Sequence, residues 1–264
     1  MTRRRADVEL VSRGLFESRE QAKAAILAGR VRIDGQPLSK AGEPVTPEAI
    51  IDVAQGQRYV SRGGHKLEGA LDTFGIDVTG VRAIDVGAST GGFTDCLLQR
   101  GAVSVVAVDV GYGQLAWPLR NDPRVTVVER TNIRTADLDA LGAPFGIVVC
   151  DVSFIALSQV LPYLIAAAGN DGTVIGLVKP QFEVGKGRVG KKGVVRDPRV
   201  HSDVLESIVR VVDEAGWVVR GLTWSPLKGP EGNIEFLVWL TASGEPTDAR
   251  PAEIVAAAHE ALGD

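Results

Sequence analysis

The chain reads as an α/β protein built on a doubly wound, mostly parallel sheet, preceded by a small α+β module. Three observations predict this. Beyond residue 81, short apolar runs alternate with helical stretches, and several runs end in a charged residue. One of them, VRAIDVGASTGGF from Val81 to Phe93, passes from a buried strand through Gly87, Gly91 and Gly92 into a helix. Before Val53, two helical segments followed by a hairpin pattern mark a separate unit.

In chain order, ADVELVSRGL spaces Val8, Leu10, Val11 and Leu15 on one face of a short helix. Ser18 to Gln21 has the form of a capping box and opens a second helix, whose apolar face is Ala22, Ala25 and Ile26. Gly29 is placed to stop it. VRIDGQPL predicts a hairpin turning at Asp34-Gly35, and AIIDV a closing strand near Val53. Residues 1–54 are therefore expected as one domain, 55–64 as a linker and 65–264 as the larger domain. Tyr59 and Val60 are apolar enough to pack rather than hang free. A helix is expected from Lys66 to Phe74 on Leu67, Ala70, Leu71 and Phe74. Strands follow near 82–87, 104–110, 125–128, 146–151 and 172–178, with helices near 92–100, 156–168 and 200–215. WVVRGLTWS and NIEFLVWLTA predict an antiparallel pair at one sheet edge, and residues 251–262 a terminal helix.

Composition narrows the class. At 264 residues with net charge −4, the chain is that of a soluble globular protein. The charge is uneven: residues 1–66 carry 12 Lys+Arg against 8 Asp+Glu, the remainder 17 against 25. A basic module on an acidic body suits a polyanionic partner. Two cysteines far apart in apolar contexts predict a reducing compartment, with no disulfide framework and no metal site. The arginines at the N-terminus precede an amphipathic helix rather than an apolar signal core. The longest apolar stretch, 147–168, is interrupted by Asp151, Ser153, Ser158, Gln159 and Pro162, so no membrane span and a cytoplasmic location are expected.

The chemistry is expected at the carboxyl ends of the strands. The turn after Asp85 admits close approach of a ligand, and Asp109 at the second strand end suits the two hydroxyls of an adenosine ribose. A dinucleotide turn needs a second glycine where Ser89 stands, and a carboxylate at Asp85 repels pyrophosphate. A cofactor bearing an ammonium and a sulfonium, S-adenosylmethionine, fits better than NAD. The expected cofactor residues are Asp85, Gly87, Ser89, Thr90, Gly91, Gly92, Phe93, Asp109, Asn132 and Asp151. Other strand ends contribute Lys179 and Glu235. Asp151-Val-Ser-Phe154 lacks the paired prolines that hold an exocyclic amine, and Cys150 points away from Asp151 on its strand. Amine and carbon-5 acceptors are thereby disfavoured; a hydroxyl remains.

SREQAKAAILAGRVRIDG and its surroundings resemble the S4 RNA-binding module, over roughly residues 4–54. That resemblance implies RNA contacts from Arg3, Arg4, Arg5, Arg13, Arg19, Lys23, Arg30 and Arg32. Lys66, Asp151, Lys179 and Glu235, in that order, resemble the Lys-Asp-Lys-Glu tetrad of the FtsJ-like ribose 2′-O-methyltransferases. With SRGGHKLEGAL, DVGASTGGFTD, DVSFIALSQVLP and LVKPQFEVGKG, the whole chain is similar to the TlyA family, also labelled hemolysin A-like. The resemblance implies a Rossmann-like class I methyltransferase fold with a seven-stranded sheet. It also implies methylation of cytidine 2′-hydroxyls in 16S or 23S ribosomal RNA. A ribose hydroxyl is a poor nucleophile, so Lys179 would accept or polarise its proton, aided by burial and by the Lys66 cation. Asp151 and Glu235 would orient the two ammoniums. The glycine-rich loop from Gln181 to Arg199 carries Lys186, Arg188, Lys191 and Lys192 and is expected to clamp RNA phosphates. A non-catalytic RNA-binding factor, a membrane-active lysin and a dehydrogenase are the competing classes. An intact tetrad, the absent apolar span and the S4-like module argue against them in turn.

Overall fold

The computed structural model describes residues 3–54, 58–185, 188–190 and 193–263, and the chain divides into two compact units, Met1–Arg58 and Tyr59–Asp264.

The first unit runs β1 (Arg4–Arg5), α1 (Ala6–Ser12), α2 (Arg19–Leu27), β2 (Val31–Ile33), β3 (Gln36–Pro37), β4 (Pro44–Val45) and β5 (Ile51–Val53). Its core is Ala6, Leu10, Ala22, Ala25, Ile26, Val31, Leu38 and Val45, so α2 buries the face its spacing predicts, whereas α1 turns Ala6 and Leu10 inward, leaves Val8 and Val11 partly buried and ends before the exposed Leu15. Ser18 caps α2 by accepting the Gln21 N–H at 3.2 Å, but Gln21 returns its side chain to the Glu17 N–H, one residue before the expected partner. Asp34 and Gly35 both take positive φ, 50° and 77°, as the two central residues of a tight hairpin turn require. β2 also pairs antiparallel with β5, and β1 with β4.

The second unit contains α3 (Gly63–Phe74), β6 (Arg82–Val86), α4 (Gly92–Gln99), β7 (Ser104–Val108), α5 (Trp117–Arg120), β8 (Val125–Val128), α6 (Leu138–Leu141) and β9 (Ile147–Cys150). It continues with α7 (Leu157–Ala168), β10 (Thr173–Val178), α8 (Pro180–Glu183), α9 (Pro198–Glu214), β11 (Val218–Trp224), β12 (Phe236–Thr241) and α10 (Pro251–Leu262). The seven strands lie in the order β11-β12-β10-β9-β6-β7-β8. β10, β9, β6, β7 and β8 are parallel; β12 runs antiparallel to both β10 and β11. The late pair thus forms at one edge, with β12 the inner strand.

Both faces of the sheet are covered, which explains why β9 is buried at all four positions and reads as an unbroken apolar run. On one face α3 and α4 enclose Leu67, Leu71, Leu97, Val105 and Leu177; on the other α7, α9 and α10 enclose Leu161, Leu205, Ile208 and Val238. Of the expected linker, residues 55–57 lie outside the described residues, and residues 59–64 belong to the second unit. Tyr59 is fully buried there, its ring edge-on to His65 at 5.1 Å, and the Val60 N–H donates to Asp95 at 2.8 Å. Among the described residues no helix is long and apolar enough to cross a membrane.

α9 and α10 meet through a histidine pair, His201 Nδ1 lying 3.0 Å from His259 Nε2, with the buried His201 ring edge-on to Phe236. Burial, reinforced by His259, pushes His201 down to about 4. Above the ordinary histidine range the group is neutral in folded and unfolded chains alike. As pH falls from about 6.5 towards 4 only the unfolded chain takes the proton, so stability is lost across that window. Denaturant unfolding should show a loss on the order of 1–2 kcal/mol between pH 7 and pH 5. His201→Phe should remove most of that slope; an unchanged slope would free His201 of the effect.

Candidate functional site

The strand order reverses between β6 and β9, and a cleft of about 460 Å³ opens there at the carboxyl ends. Its lining includes Gly87, Ser89, Asp109, Gln114, Asn132, Asp151, Ser153 and Phe154. Gly87 has φ 84°, and a Cβ there would lie 2.6 Å from the Asp151 carbonyl oxygen, so only glycine lets the turn cross the end of β9. Asp109 holds the turn from the other side. One carboxylate oxygen accepts the Ser89 N–H at 2.7 Å and the other the Gly111 N–H at 2.6 Å. Each oxygen keeps a lone pair for a further donor.

Asp85 lies beneath the turn, fully buried. Its Oδ2 accepts the Thr94 N–H at 2.9 Å and the Thr94 hydroxyl at 2.7 Å, while Oδ1 has no hydrogen-bond partner among the described residues. Burial, opposed by Thr94 and helped by the charges of Asp151 and Asp109, pushes its carboxyl up to about 7. A buried acceptor without a donor is costly, and a cationic ligand above it would relieve that cost.

The other residues expected around the cofactor take different places. Gly91, at φ 95°, packs against Leu115 and Leu119; a Cβ would lie 2.3 Å from Leu119. Thr90 is exposed at the turn and its carbonyl accepts the Ala116 N–H. Gly92 and Phe93 are buried and do not line the cleft. A Cβ on Gly92 would lie 2.3 Å from Ser61 Oγ and 2.8 Å from the Gly64 nitrogen. That close approach seats the first turn of α3 against α4, and Lys66 rides on this turn.

The four tetrad residues form two lysine–carboxylate pairs. Lys66 Nζ lies 2.5 Å from Glu235 Oε2, both buried, Glu235 only 1 % exposed. Lys179 Nζ lies 2.6 Å from Asp151 Oδ1, an ion pair outside hydrogen-bond alignment, and donates to Ser153 Oγ at 2.9 Å. Register joins the pairs: Val178 is opposite Phe236, so Lys179 and Glu235 are neighbours one step beyond the ladder. Asp151 follows β9, whose Cys150 stands opposite Val86 of β6. Lys179 is buried and hydrogen-bonded rather than extended into solvent. Cys150 is fully buried, and burial pushes its thiol up, so it offers no nucleophile.

Phe154 is the residue the sequence pattern did not single out. It is 92 % exposed, has φ 66°, lines the cleft, and lies 5.5 Å from the Phe182 ring. A bulky side chain held exposed in left-handed backbone stores strain on the order of 1–3 kcal/mol, which usually marks a functional site. A larger hollow, about 570 Å³, lies beside Arg210, Trp217 and Val218. It is at the opposite end of the sheet from these groups.

In the first unit the expected RNA contacts divide. Arg13 turns inward, pairing with Glu9 at 2.8 Å and donating to the carbonyls of Ala49 and Pro47 at 2.7 and 2.8 Å; it clasps the fold. Arg5 and Arg19 both pair with the buried Asp7 yet stay more than half exposed. The Arg5 hydrogen bond, and then Arg19, hold Asp7 well below the usual carboxylate range. Arg3, Arg4, Lys23 and Arg32 are exposed and Arg30 is partly so. In the second unit, Lys186, Lys191 and Lys192 lie outside the described residues. Arg188 pairs with Asp203 on α9. The loop is pinned near its end: Asn233 Oδ1 accepts the Val195 N–H at 2.9 Å, and its amide donates to the Gly193 carbonyl at 3.0 Å.

A sheet of this order, with an acidic glycine turn and a cleft at the switch point, defines a doubly wound α/β protein. Comparison with known families makes it specific. Residues 59–242 match the FtsJ-like methyltransferase family and residues 4–51 the S4 domain; the chain belongs to the FtsJ-like methyltransferases and carries an S4 domain. It is 54% identical over 240 residues to the 16S/23S rRNA (cytidine-2'-O)-methyltransferase TlyA of Mycobacterium tuberculosis, covering 90% of each chain. It is 39% identical to Hemolysin A of Brachyspira hyodysenteriae, over 88% of this chain and 98% of that one. A solved structure from Streptococcus thermophilus, also bearing the hemolysin label, superimposes with TM-score 0.75 at 43% identity, over 99% of this chain and 98% of that one.

The buried Asp85 gives a test that needs no substrate. Its raised value means the fold increasingly opposes ionisation as pH climbs from the carboxylate range through about 7. Asp85→Asn, neutral throughout, should raise the unfolding free energy of the unliganded protein at pH 8 by roughly 1–3 kcal/mol and flatten its decline from pH 5. An equal decline in the variant would place that charge elsewhere.

Proposed function

We propose that this chain is an S-adenosylmethionine-dependent RNA methyltransferase that methylates the ribose 2′-hydroxyl of cytidine in 16S ribosomal RNA, 23S ribosomal RNA or both. The observation that carries this reading is two lysine–carboxylate contacts at the strand ends beside the cleft, Lys66–Glu235 with both partners buried and Lys179–Asp151 with the lysine buried and the carboxylate partly so. The M. tuberculosis relative, named for that reaction, supports the substrate assignment.

The cleft suits the cofactor in three respects. Asp109 retains acceptor capacity for ribose hydroxyls, the Gly87 turn leaves its backbone bare, and the unpartnered Asp85 oxygen adds negative charge below. Gln114 and Asn132 line the same cleft. When bound, S-adenosylmethionine supplies an electrophilic methyl group on a positively charged sulfur. Around it, Lys179 receives the proton of the acceptor hydroxyl as a neutral amine or polarises that hydroxyl as an ammonium, with Asp151 and Ser153 fixing the direction of its Nζ. Glu235, next to Lys179 in register, holds the Lys66 cation. The exposed Phe154 ring offers the acceptor base a face to stack on. Exposed basic residues of the S4 domain, Arg3, Arg4, Lys23 and Arg32 with the paired Arg5 and Arg19, meet RNA phosphates.

Incubation with labelled S-adenosylmethionine and unmodified ribosomal subunits should label ribosomal RNA. In single-turnover reactions Lys179→Ala should keep cofactor and RNA affinity but slow transfer by roughly 10²-fold or more. Lys179→Arg should not restore it, because a guanidinium holds its proton at any workable pH. Near wild-type transfer by Lys179→Arg would eliminate proton acceptance by this side chain and leave a positioning role only.

A further inference from the structure

The segments leaving β9 and β10 are laced together by side chains along their length. Lys179 meets Asp151 at 2.6 Å and Ser153 at 2.9 Å, and the Phe182 ring meets the Phe154 ring at 5.5 Å. The last tie is Glu183. Its Oε1 accepts the Leu157 N–H at 2.5 Å and its Oε2 the Ser158 hydroxyl at 2.9 Å. Contacts therefore advance in step along residues 151, 153, 154 and 157–158 on one side and 179, 182 and 183 on the other.

Glu183 also answers a local need. α7 begins after Ala156, which has no side-chain cap; the Gln159 N–H reaches the Ala156 carbonyl, but the Leu157 N–H needs a partner from elsewhere. Glu183 supplies that partner from α8, with its negative charge at the positive end of α7. The site disfavours the charge, since burial raises the carboxyl despite the Ser158 and Leu157 hydrogen bonds. Glu183 stands four residues after Lys179, so this cap also ties the segment that leaves β10 to the start of α7.

We propose that Glu183 is a positioning residue for methyl transfer. It closes the lace that holds the Asp151–Ile155 loop, strained at Phe154, in the one arrangement that keeps Asp151 and Ser153 on the Lys179 ammonium. Without it the loop relaxes and Lys179 loses its direction, although no atom of Glu183 touches substrate or cofactor. The inference rests on the reading of Lys179 as the proton-handling group.

The test is single-turnover methyl transfer by the full chain with S-adenosylmethionine and unmodified ribosomal subunits. A misplacement of about 1 Å at a reacting group costs up to roughly 10²-fold, so Glu183→Ala should slow transfer roughly 10-fold or more while cofactor affinity stays within about twofold. Glu183→Gln should restore most of the rate, since its carbonyl accepts from Leu157 and its amide donates to the Ser158 oxygen. In a Lys179→Ala background Glu183→Ala should cost less than about twofold, because the two act as one unit. Ser158→Ala, which removes one of the two ties, should give an intermediate loss and keeps the test decisive should Glu183→Ala not fold. Wild-type rate in Ser158→Ala and Glu183→Ala, no rescue by Gln, or a full loss persisting without Lys179 would each overturn the proposal. An unaffected Lys179→Ala would instead overturn the reading of the tetrad.

Discussion

Everything in the larger unit depends on how closely the turn after β6 crosses the end of β9. At Gly87 the backbone passes the Asp151 carbonyl with no room for a side-chain carbon. This crossing puts the glycine turn and the Lys179–Asp151 pair on one seam. Asp85 and Asp109 fix the turn from below and from the flank, through Thr94, Ser89 and Gly111. Asp151 belongs to both halves, since its carbonyl borders the glycine turn and its carboxylate holds Lys179. A shift of the turn would therefore move the carboxylate partner of Lys179 together with the cleft.

The ion pairs are poor candidates for stability devices. Taking both charges out of water costs several kcal/mol per ion, and their attraction seldom returns more than that. Removing one partner, by contrast, typically costs about 3–5 kcal/mol, because the other charge is left buried. Two such pairs next to each other at the strand ends, one of them sharing Asp151 with the cleft, are better explained by chemistry than by fold. The same reasoning applies to Phe154, whose exposure and backbone conformation both work against the folded state.

Much of this was legible in the chain. The parallel strands could be read because burial on both faces leaves largely apolar runs, and the ends of most because a charged residue follows, as at Asp109, Asp151 and Lys179, while β6 runs into Gly87. One-turn helices such as α5, α6 and α8 span too few residues to show a period, and the β1–β4 ladder is two residues long with a proline in it. α3 starts at Gly63, earlier than its apolar face suggests, because Gly63 and Gly64 serve close packing against Gly92 and Tyr59. Motif order grouped Lys66, Asp151, Lys179 and Glu235, but which lysine takes which carboxylate is set by strand register and by the seat of α3. Arg13 looked like a surface cation; its inward turn follows from Glu9 one helical turn earlier and from the carbonyls of residues 46, 47 and 49. The loop after Lys179 looked loose because it is rich in glycine, yet Asn233, just ahead of Glu235, holds its far end.

The central claim is that the methyl group goes to a ribose hydroxyl and not to a base. Alkali cleaves RNA only where a free 2′-hydroxyl can attack the neighbouring phosphate, so a 2′-O-methyl group protects the linkage that follows it. Ribosomal RNA labelled by this protein from methyl-labelled S-adenosylmethionine, digested in alkali and separated by charge, should carry its label in alkali-resistant dinucleotides with cytidine on the 5′ side. Label recovered in mononucleotides would mean methylation of the base and would contradict the account.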